Sequence, residues 1–181
     1  MMGQQECKTT LNFKRLETSW NAQFISRFHT VASLHPKQTV GSHSFGVAIL
    51  INELWEDTTK NLIMAALYHD VPELILGDIP FTAKCDYSEI ALAFEKAEEK
   101  VSEELELPQV KSFLLTDGEK RRLKMADMLD LVLYTHIEGR ANKEMFDICR
   151  YGIDHLFKKW GEIEDFKPIA KFLDYKDLHF E

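Results

Sequence analysis

A histidine and three carboxylates interrupt an apolar stretch of this chain, LIMAALYHDVPELILGDIPF, between residues 62 and 81. His69 and Asp70 are adjacent, and Glu73 and Asp78 follow shortly after them. An unpaired carboxylate is costly to bury, whereas coordination to a cation supplies the missing charge partner. Imidazole and carboxylate ligands together can bind Mn²⁺, Fe²⁺, Co²⁺, Ni²⁺ or Zn²⁺, and Mg²⁺ is a further candidate. The stretch is therefore a candidate site for a divalent metal.

Two more residues of the same types stand in apolar surroundings elsewhere, His43 and Asp127. Two imidazoles and two carboxylates from three elements could make one mixed nitrogen and oxygen site. Taken singly, each has a simpler interpretation. A lone histidine on an apolar helix face is usually a hydrogen-bonded core residue, and Asp127 could pair with Lys124 or Arg121. Taken together, the four groups favour a metal site.

A metal held in this way could carry out chemistry on water. A bound divalent ion lowers the pKa of water, so that water can attack at neutral pH. Asp78, later in the same stretch, could simply be the N-cap of a helix within a loop.

The elements that must position these residues are predicted to be helices, because segments of helical period alternate with prolines. No stretch alternates apolar and polar residues over the length of a strand. The predicted helices cover residues 16–28, 43–56, 60–70, 88–105, 118–139 and 142–160. Their expected N-caps are Ser42, Asp57 or Thr58, and Asp117. The predicted fold class is all-α, a single-domain helical bundle spanning residues 1–181.

The adjacent pair His69 and Asp70 needs a helix end, since neighbours on a regular helix point about 100° apart. Pro72 supplies that end, because its ring suits the first turn of a helix and not the interior. Both side chains can then converge on one ion. After Pro72 we predict a short helix, and beyond Gly77 a loop over residues 78–86.

Composition limits the possible partners. The formal net charge of the 181 residues is −8, which argues against binding to a nucleic-acid backbone. No run approaches the roughly 18 apolar residues of a membrane span, and the N-terminal MMGQQECKTT lacks the apolar core of a signal peptide. Three scattered cysteines without a CxxC pattern fit a reduced setting. We expect a cytoplasmic protein with a small-molecule partner, no nucleic acid and no membrane.

The pattern His43, His69-Asp70 and Asp127 resembles the HD-domain phosphohydrolase superfamily. The segments HDVPELILGDIPFTAK and KMADMLDLVLY are similar to its 5′-deoxynucleotidase (YfbR-like) branch, which includes phage enzymes that remove triphosphate from deoxynucleotides. The resemblance covers about residues 24–140 and implies an HD-type fold. It also implies that these four residues are the metal ligands.

The resemblance implies roles for the surrounding residues as well. Glu73 would contact the attacking water or the surroundings of the scissile phosphate, and Asp78 would protonate the leaving ester oxygen. Arg27 would bind a phosphate, with Lys84 assisting it. Relatives often have tryptophan after this arginine, and its bulk is taken to exclude a 2′-hydroxyl group. Phe28 stands there in this chain, which weakens the expectation of deoxynucleotide selectivity, although phenylalanine could still fill the place.

The number of phosphates in the substrate is less clearly indicated. The stretch RFHTVASLHPK collects four basic or titratable side chains, Arg27, His29, His35 and Lys37. A triphosphate needs more such partners than a monophosphate does, but an ordinary polar loop would look the same. The segment between Lys84 and Asp127 is also shorter than in typical bacterial monophosphatases. We therefore expect a deoxynucleoside triphosphate triphosphohydrolase that contacts substrate through Arg27, Phe28, Lys84, His35 and Lys37.

Three alternatives stay open. The first is a 5′-deoxynucleotidase that acts on monophosphates, and the second is a nucleotide-binding HD module without turnover. The third is a purely structural bundle, which would bind neither metal nor nucleotide. The resemblance further implies a homo-oligomer, a dimer or larger.

Overall fold

The computed structural model describes residues 12–32, 36–107 and 115–178, and these residues form a bundle of helices. The helices are α1 (Phe13–Ala22), α2 (Val40–Leu54), α3 (Lys60–Tyr68), α4 (Glu73–Leu76), α5 (Phe81–Asp86), α6 (Ser88–Glu104), α7 (Asp117–Gly139), α8 (Lys143–Trp160) and α9 (Lys167–Tyr175). The predicted all-α fold is confirmed. Among the described residues, no helix combines the length and the apolar character needed to cross a membrane.

The main core lies between α2, α3, α7 and α8. Helix α7 packs along α8, and α2 packs against both α3 and α7. Fully buried side chains in this core include Ile51, Leu62, Leu129 and Leu156. Burying each of them contributes about 1.5–3 kcal/mol relative to leaving it in water. This core fixes the positions of α2, α3 and α7, the helices that carry or adjoin the predicted metal ligands.

Helices α7 and α8 approach each other closely at Gly152. A Cβ atom at this position would lie 2.8 Å from Val132 Cγ2 and 3.2 Å from Leu131 Cδ2. Glycine is therefore the residue that lets the two helices pack at this distance.

Threonines cap three of the helices. Thr39, Thr59 and Thr116 accept a hydrogen bond from a backbone N–H three residues ahead, at the starts of α2, α3 and α7. Such a cap stabilises a helix by about 1 kcal/mol. The caps predicted from the sequence were therefore wrong, although each lies close to the observed one: Ser42, Asp57 or Thr58, and Asp117. Several residues near each start can accept a hydrogen bond, and the extended backbone at the threonine decides between them.

The first helix is shorter than predicted, since α1 ends at Ala22 and not at Phe28. After α1 the chain runs antiparallel to the start of α2. The Arg27 N–H donates to the Gln38 carbonyl at 2.8 Å, and the Val40 N–H donates to the Ile25 carbonyl at 2.9 Å. The helical period predicted too late an end for this helix because its apolar residues Trp20 and Phe24 are exposed and do not form a buried face. The actual path pairs the backbone of Arg27 with Gln38 before α2 and stacks the Phe28 ring on Tyr134 of α7.

A short helix replaces part of the loop predicted over residues 78–86. Pro80 precedes α5, and Lys84 lies in its last turn. An element of 6 residues is too short for a helical period to be read from sequence. Helix α6 begins at Ser88 as predicted.

Candidate metal centre and substrate cleft

Four side chains from separate elements converge at one point. His43 lies in the first turn of α2, His69 and Asp70 directly follow the end of α3, and Asp127 lies midway along α7. Donor atoms of His43, His69 and Asp70 lie within 4.8 Å of one another. Asp127 Oδ1 is 3.0 Å from His43 Nε2 and 3.9 Å from His69 Nε2. The structure thus brings together the four residues that the sequence suggested as ligands.

Both imidazoles turn Nε2 toward this point. His69 Nδ1 donates to the Ala66 carbonyl at 2.7 Å, and His43 Nδ1 donates to Asp130 Oδ2 at 2.7 Å. In the neutral rings, these partners place the proton on Nδ1 and leave a lone pair on Nε2. The two Nε2 atoms are 3.2 Å apart. Two lone pairs cannot hydrogen-bond to each other, but one cation can accept both. The donor set therefore fits a divalent transition metal.

The carboxylates around the imidazoles favour positive charge at this point. Burial and the charge of Arg27 would lower the pKa of His43. Hydrogen bonds of the imidazolium form, which carries a proton on both ring nitrogens, with Asp127 and Asp130 and the charge of Asp70 instead raise it to about 9. Burial alone would raise the pKa of Asp127, but its hydrogen bonds with His43 and His69 hold it well below the usual value. The same electrostatic field would stabilise a bound cation.

Arg27 lies beside the ligand cluster. Its Nη1 pairs with Asp70 Oδ2 and is 3.9 Å from Glu73 Oε1. Arg27 Nε and Glu73 Oε2 are buried and have no hydrogen-bond partner within the described chain. An unsatisfied buried polar group costs about 1–3 kcal/mol. A phosphate group together with a water molecule would supply an acceptor for the arginine and a donor for the carboxyl.

Glu73 is among the most deeply buried charged residues described, with 2% of its side chain exposed. Burial and the charge of Asp70 raise the pKa of Glu73 to about 9, although the charge of Arg27 opposes the shift. Its carboxyl group is thus held in an environment that favours the protonated form.

A cleft that opens to solvent extends from the ligand cluster. One part of its lining is charged, and Arg27, Asp70, Glu73, Asp78, Lys84 and Asp127 supply it. Another part is apolar and includes Phe28, Phe81, Met128, Leu131 and Ile148. Such a lining suits a ligand with an anionic end and a flat, less polar body.

Phe28 stands in a left-handed backbone conformation, with φ of 55°. A non-glycine residue held in this region costs of order 1–3 kcal/mol, and such residues cluster at functional sites. The ring of Phe28 stacks on Tyr134 with centroids 4.9 Å apart. The conformation places an aromatic ring in the cleft next to Arg27.

Asp78 and Lys84 also line the cleft, and each has a partner that the sequence did not suggest. Asp78 Oδ2 is 3.6 Å from Nδ1 of His29. Lys84 Nζ is 3.7 Å from Glu98 Oε1 on α6 and 4.9 Å from the centroid of the Phe94 ring. The positive charge of Lys84 is therefore shared with a carboxylate at the cleft.

One residue of the predicted substrate set, Lys37, does not join this group: it is half-buried and is not part of the cleft lining that the structure describes. Another, His35, lies outside the described residues. Sequence reasoning also missed Asp130, the partner of His43. A signal was available, because Asp130 follows Asp127 by three residues and so shares its helix face.

Comparisons with known proteins show the family of the chain. A family model described as 5′-deoxynucleotidase YfbR-like matches residues 20–172. A search of curated proteins found no significant match.

Solved structures similar to this chain include an HD-domain phosphohydrolase from Listeria innocua, with a TM-score of 0.71 and 18% identity over 91% of this chain and 88% of that one. The cyanophage S-2L HD phosphohydrolase DatZ, bound to dA and one catalytic Zn²⁺ ion, has a TM-score of 0.69 and 20% identity, and the match covers 92% of this chain and 96% of that one. A Pyrococcus horikoshii protein has a TM-score of 0.67 and 20% identity, and the match covers 91% of this chain and 97% of that one. At these identities the likeness is one of fold.

Proposed function

Because the chain belongs to the YfbR-like 5′-deoxynucleotidase family and is thus a metal-dependent phosphohydrolase, we propose that it hydrolyses the 5′ phosphoester of deoxynucleotides, with triphosphates as preferred substrates. The proposal depends mainly on one observation: two imidazoles and two carboxylates converge beside a buried arginine at one cleft. This arrangement combines a metal-binding donor set with a phosphate-binding group.

We assign cation binding and phosphate binding to different residues. His43, His69, Asp70 and Asp127 would hold the cation. When bound, a divalent cation makes water nucleophilic at neutral pH and offsets the charge of the phosphate. Arg27 would contact phosphate oxygens through Nε and the rest of its planar guanidinium group, which its pairing with Asp70 holds in place.

In the reaction, a water oxygen bonds to the α-phosphorus, the bond between that phosphorus and O5′ breaks, and the proton that the water loses passes to solvent. Glu73 Oε2, which has no other described partner, would hydrogen-bond to the attacking water and orient it. O5′ takes up a proton as it leaves, and Asp78 would donate it. His29, 3.6 Å from Asp78, is placed to supply Asp78 with a new proton from solvent. The products are a deoxynucleoside and tripolyphosphate.

Support for a triphosphate substrate comes from two cations in the described part of the cleft lining. Arg27 adjoins the ligand cluster, and Lys84 approaches the cleft from α5. Two cations on separate elements can bind more than one phosphate group. The binding of dA by DatZ supports a deoxynucleoside body, and the Phe28 ring would pack against its sugar.

A second candidate is a 5′-deoxynucleotidase that acts on monophosphates. The description of the family itself favours it. The ion pair between Lys84 and Glu98 also favours it, because the carboxylate offsets the charge that a second phosphate would need.

One experiment separates the two candidates. The protein is incubated with Co²⁺ or Mn²⁺ and with dATP, dAMP or ATP, and the products are separated. Deoxyadenosine with tripolyphosphate from dATP supports the proposal, whereas deoxyadenosine from dAMP alone supports the second candidate. Accumulation of dADP contradicts both, since it means cleavage between phosphates. Tight nucleotide binding without product under several metals would indicate a non-catalytic module. Equal rates with ATP would show that Phe28 does not exclude a 2′-hydroxyl.

The proposal also covers the domain organisation, the oligomeric state and the cellular location of the protein. From the family resemblance we expect one domain over residues 1–181 that works as a homo-oligomer in the cytoplasm. Light scattering coupled to size-exclusion chromatography measures the oligomeric state directly.

A further inference from the structure

We propose that Asp130 and Gln38 form a positioning pair that holds His43 in its metal-binding orientation and connects it to the segment carrying Arg27. The inference rests on the proposed function in one respect, since it takes His43 to be a metal ligand.

The first support is that two aspartates of α7 contact the two ring nitrogens of His43. Nε2 lies 3.0 Å from Asp127 Oδ1, and Nδ1 lies 2.7 Å from Asp130 Oδ2. Residues three apart on a helix share a face, so one turn of α7 presents an acid to each ring nitrogen. His43 is fully buried, and a carboxylate accepts hydrogen bonds only. Asp130 therefore keeps the proton on Nδ1 and directs the Nε2 lone pair toward the cation position.

The second support is the position of Gln38. Its Nε2 donates to the same Asp130 Oδ2 at 2.7 Å. Its backbone carbonyl accepts from the Arg27 N–H at 2.8 Å, and its backbone N–H donates to the Tyr134 hydroxyl at 3.2 Å. One residue thus contacts the acid behind His43, the backbone of the phosphate-binding arginine and the ring under Phe28. Of these three contacts, the one with Asp130 is made by the side chain of Gln38, and the other two are made by its backbone.

The third support is Gly46, which lies one turn after His43 on α2. A methyl group at Gly46 would overlap Asp130 Oδ1. Glycine inside a helix costs roughly 1 kcal/mol relative to alanine. Here it leaves the space that the carboxylate of Asp130 occupies, so α2 supplies both the histidine and the room for its acidic partner.

Metal affinity is the property that this pair should control. Removing the partner of a metal-ligating histidine typically weakens metal binding or activity about 10–100-fold. Asp130→Asn keeps the size of the side chain and removes its charge. Gln38→Ala removes the amide and keeps both backbone hydrogen bonds, so its effect should be smaller.

The experiment is a titration of the purified full-length protein with Co²⁺, followed by visible absorption, for Asp130→Asn, Gly46→Ala and Gln38→Ala. We expect Asp130→Asn and Gly46→Ala to weaken Co²⁺ binding about 10–100-fold and to change the shape of the absorption bands. Gln38→Ala should weaken it severalfold. Gly139→Ala is the matched control, since a Cβ there would lie 2.9 Å from Phe146 Cα, at the end of α7 and away from Asp130. It should lower Tm without changing Co²⁺ affinity.

Wild-type Co²⁺ affinity and spectrum in Asp130→Asn would overturn the proposal, and this variant decides alone if Gly46→Ala does not fold. An equal loss of affinity in Gly139→Ala would overturn it too, because the effect would then be general destabilisation. Unchanged affinity in Gln38→Ala would remove Gln38 from the pair.

The titration needs no nucleotide, so its result is separable from the proposed function. Hydrolysis of deoxynucleotides with unchanged Co²⁺ affinity in Asp130→Asn would leave the function and reject the pair. If Asp130→Asn shows the expected loss of Co²⁺ affinity but the wild-type protein hydrolyses no deoxynucleotide, the pair stands and the proposed function is rejected.

Discussion

The two sides of the candidate site are built from different kinds of structure. His43 and Asp127 lie on α2 and α7, helices of 15 and 23 residues that pack in the core. Arg27 and Phe28 lie on the non-helical chain before α2, and Lys84 lies on α5, a helix of 6 residues. Packed helices hold ligand atoms in a fixed geometry, whereas loops and short elements vary more easily. Metal binding and substrate choice should therefore respond separately to mutation, except where Arg27 meets Asp70.

The largest effect should come from breaking the metal side. Asp70→Ala removes a ligand and the partner of Arg27, so we expect loss of bound metal and a fall in activity of about a thousandfold or more, because the cation supplies several kcal/mol of transition-state stabilisation. Elemental analysis and product formation measure the two losses, and circular dichroism should show that the helices remain. Asp154→Ala, an exposed aspartate on α8, is the control. Full activity in Asp70→Ala would refute the ligand assignment.

The substrate side should give a smaller and more selective effect. Arg27→Ala removes the charged phosphate contact, which is worth about 1.5–3 kcal/mol, so kcat/KM should fall about 10–100-fold. Co²⁺ affinity should fall much less. Arg27→Lys should not restore activity, because an ammonium cannot form the planar fork. Steady-state kinetics and Co²⁺ titration of the same preparations measure both. Unchanged kinetics would remove Arg27 from the site.

A still smaller effect tests the outer part of the cleft. Glu98→Gln removes the charge that pairs with Lys84. Partly exposed ion pairs are worth about 0.2–1 kcal/mol, so the preference for dATP over dAMP should rise by a factor of about 1.5–5. The matched control is Glu95→Gln, an exposed glutamate on the same helix. A ratio that stays constant would mean that Lys84 does not contact the outer phosphates.

The smallest effect should leave the chemistry untouched. Thr116→Ala removes the N-cap of α7, far along the helix from Asp127. It should destabilise the protein by about 1 kcal/mol and lower Tm by about 2–4 °C, with kcat unchanged. Ser88→Ala, at a helix start where the side chain makes no cap, should change neither. Thermal denaturation and kinetics are the measurements. A large loss of kcat would show that the end of α7 is coupled to the metal side.

The same contrast between the two sides explains what the sequence could predict. The convergence of the four candidate ligands was predictable because they are polar side chains in or next to strongly periodic apolar helices, and Pro72 marks the break that lets His69 and Asp70 converge. These signals are local in the chain. Helix starts were less predictable, since neighbouring residues such as Thr39 and Ser42 compete to cap the same helix.

The partners of the site residues were not predictable, because they come from distant segments. Glu98 meets Lys84, and Asp130 meets His43, only after α6 and α7 have packed. The left-handed backbone of Phe28 also has no signal in a residue type that usually avoids it. The end of α1 was misjudged because Trp20 and Phe24 continue a helical period although both are largely exposed.

Gly46 and Asp130 have a consequence for the history of this fold. A side chain larger than hydrogen at position 46 and a carboxylate at position 130 compete for the same volume. Position 130 can change while glycine stays at 46, but a side chain at 46 displaces the carboxylate, so larger residues at 46 should accompany loss of the acid at 130 among related sequences. A lineage that loses the acid is then free to acquire alanine at 46 and gain helix stability, and return to the acid would first require restoring glycine.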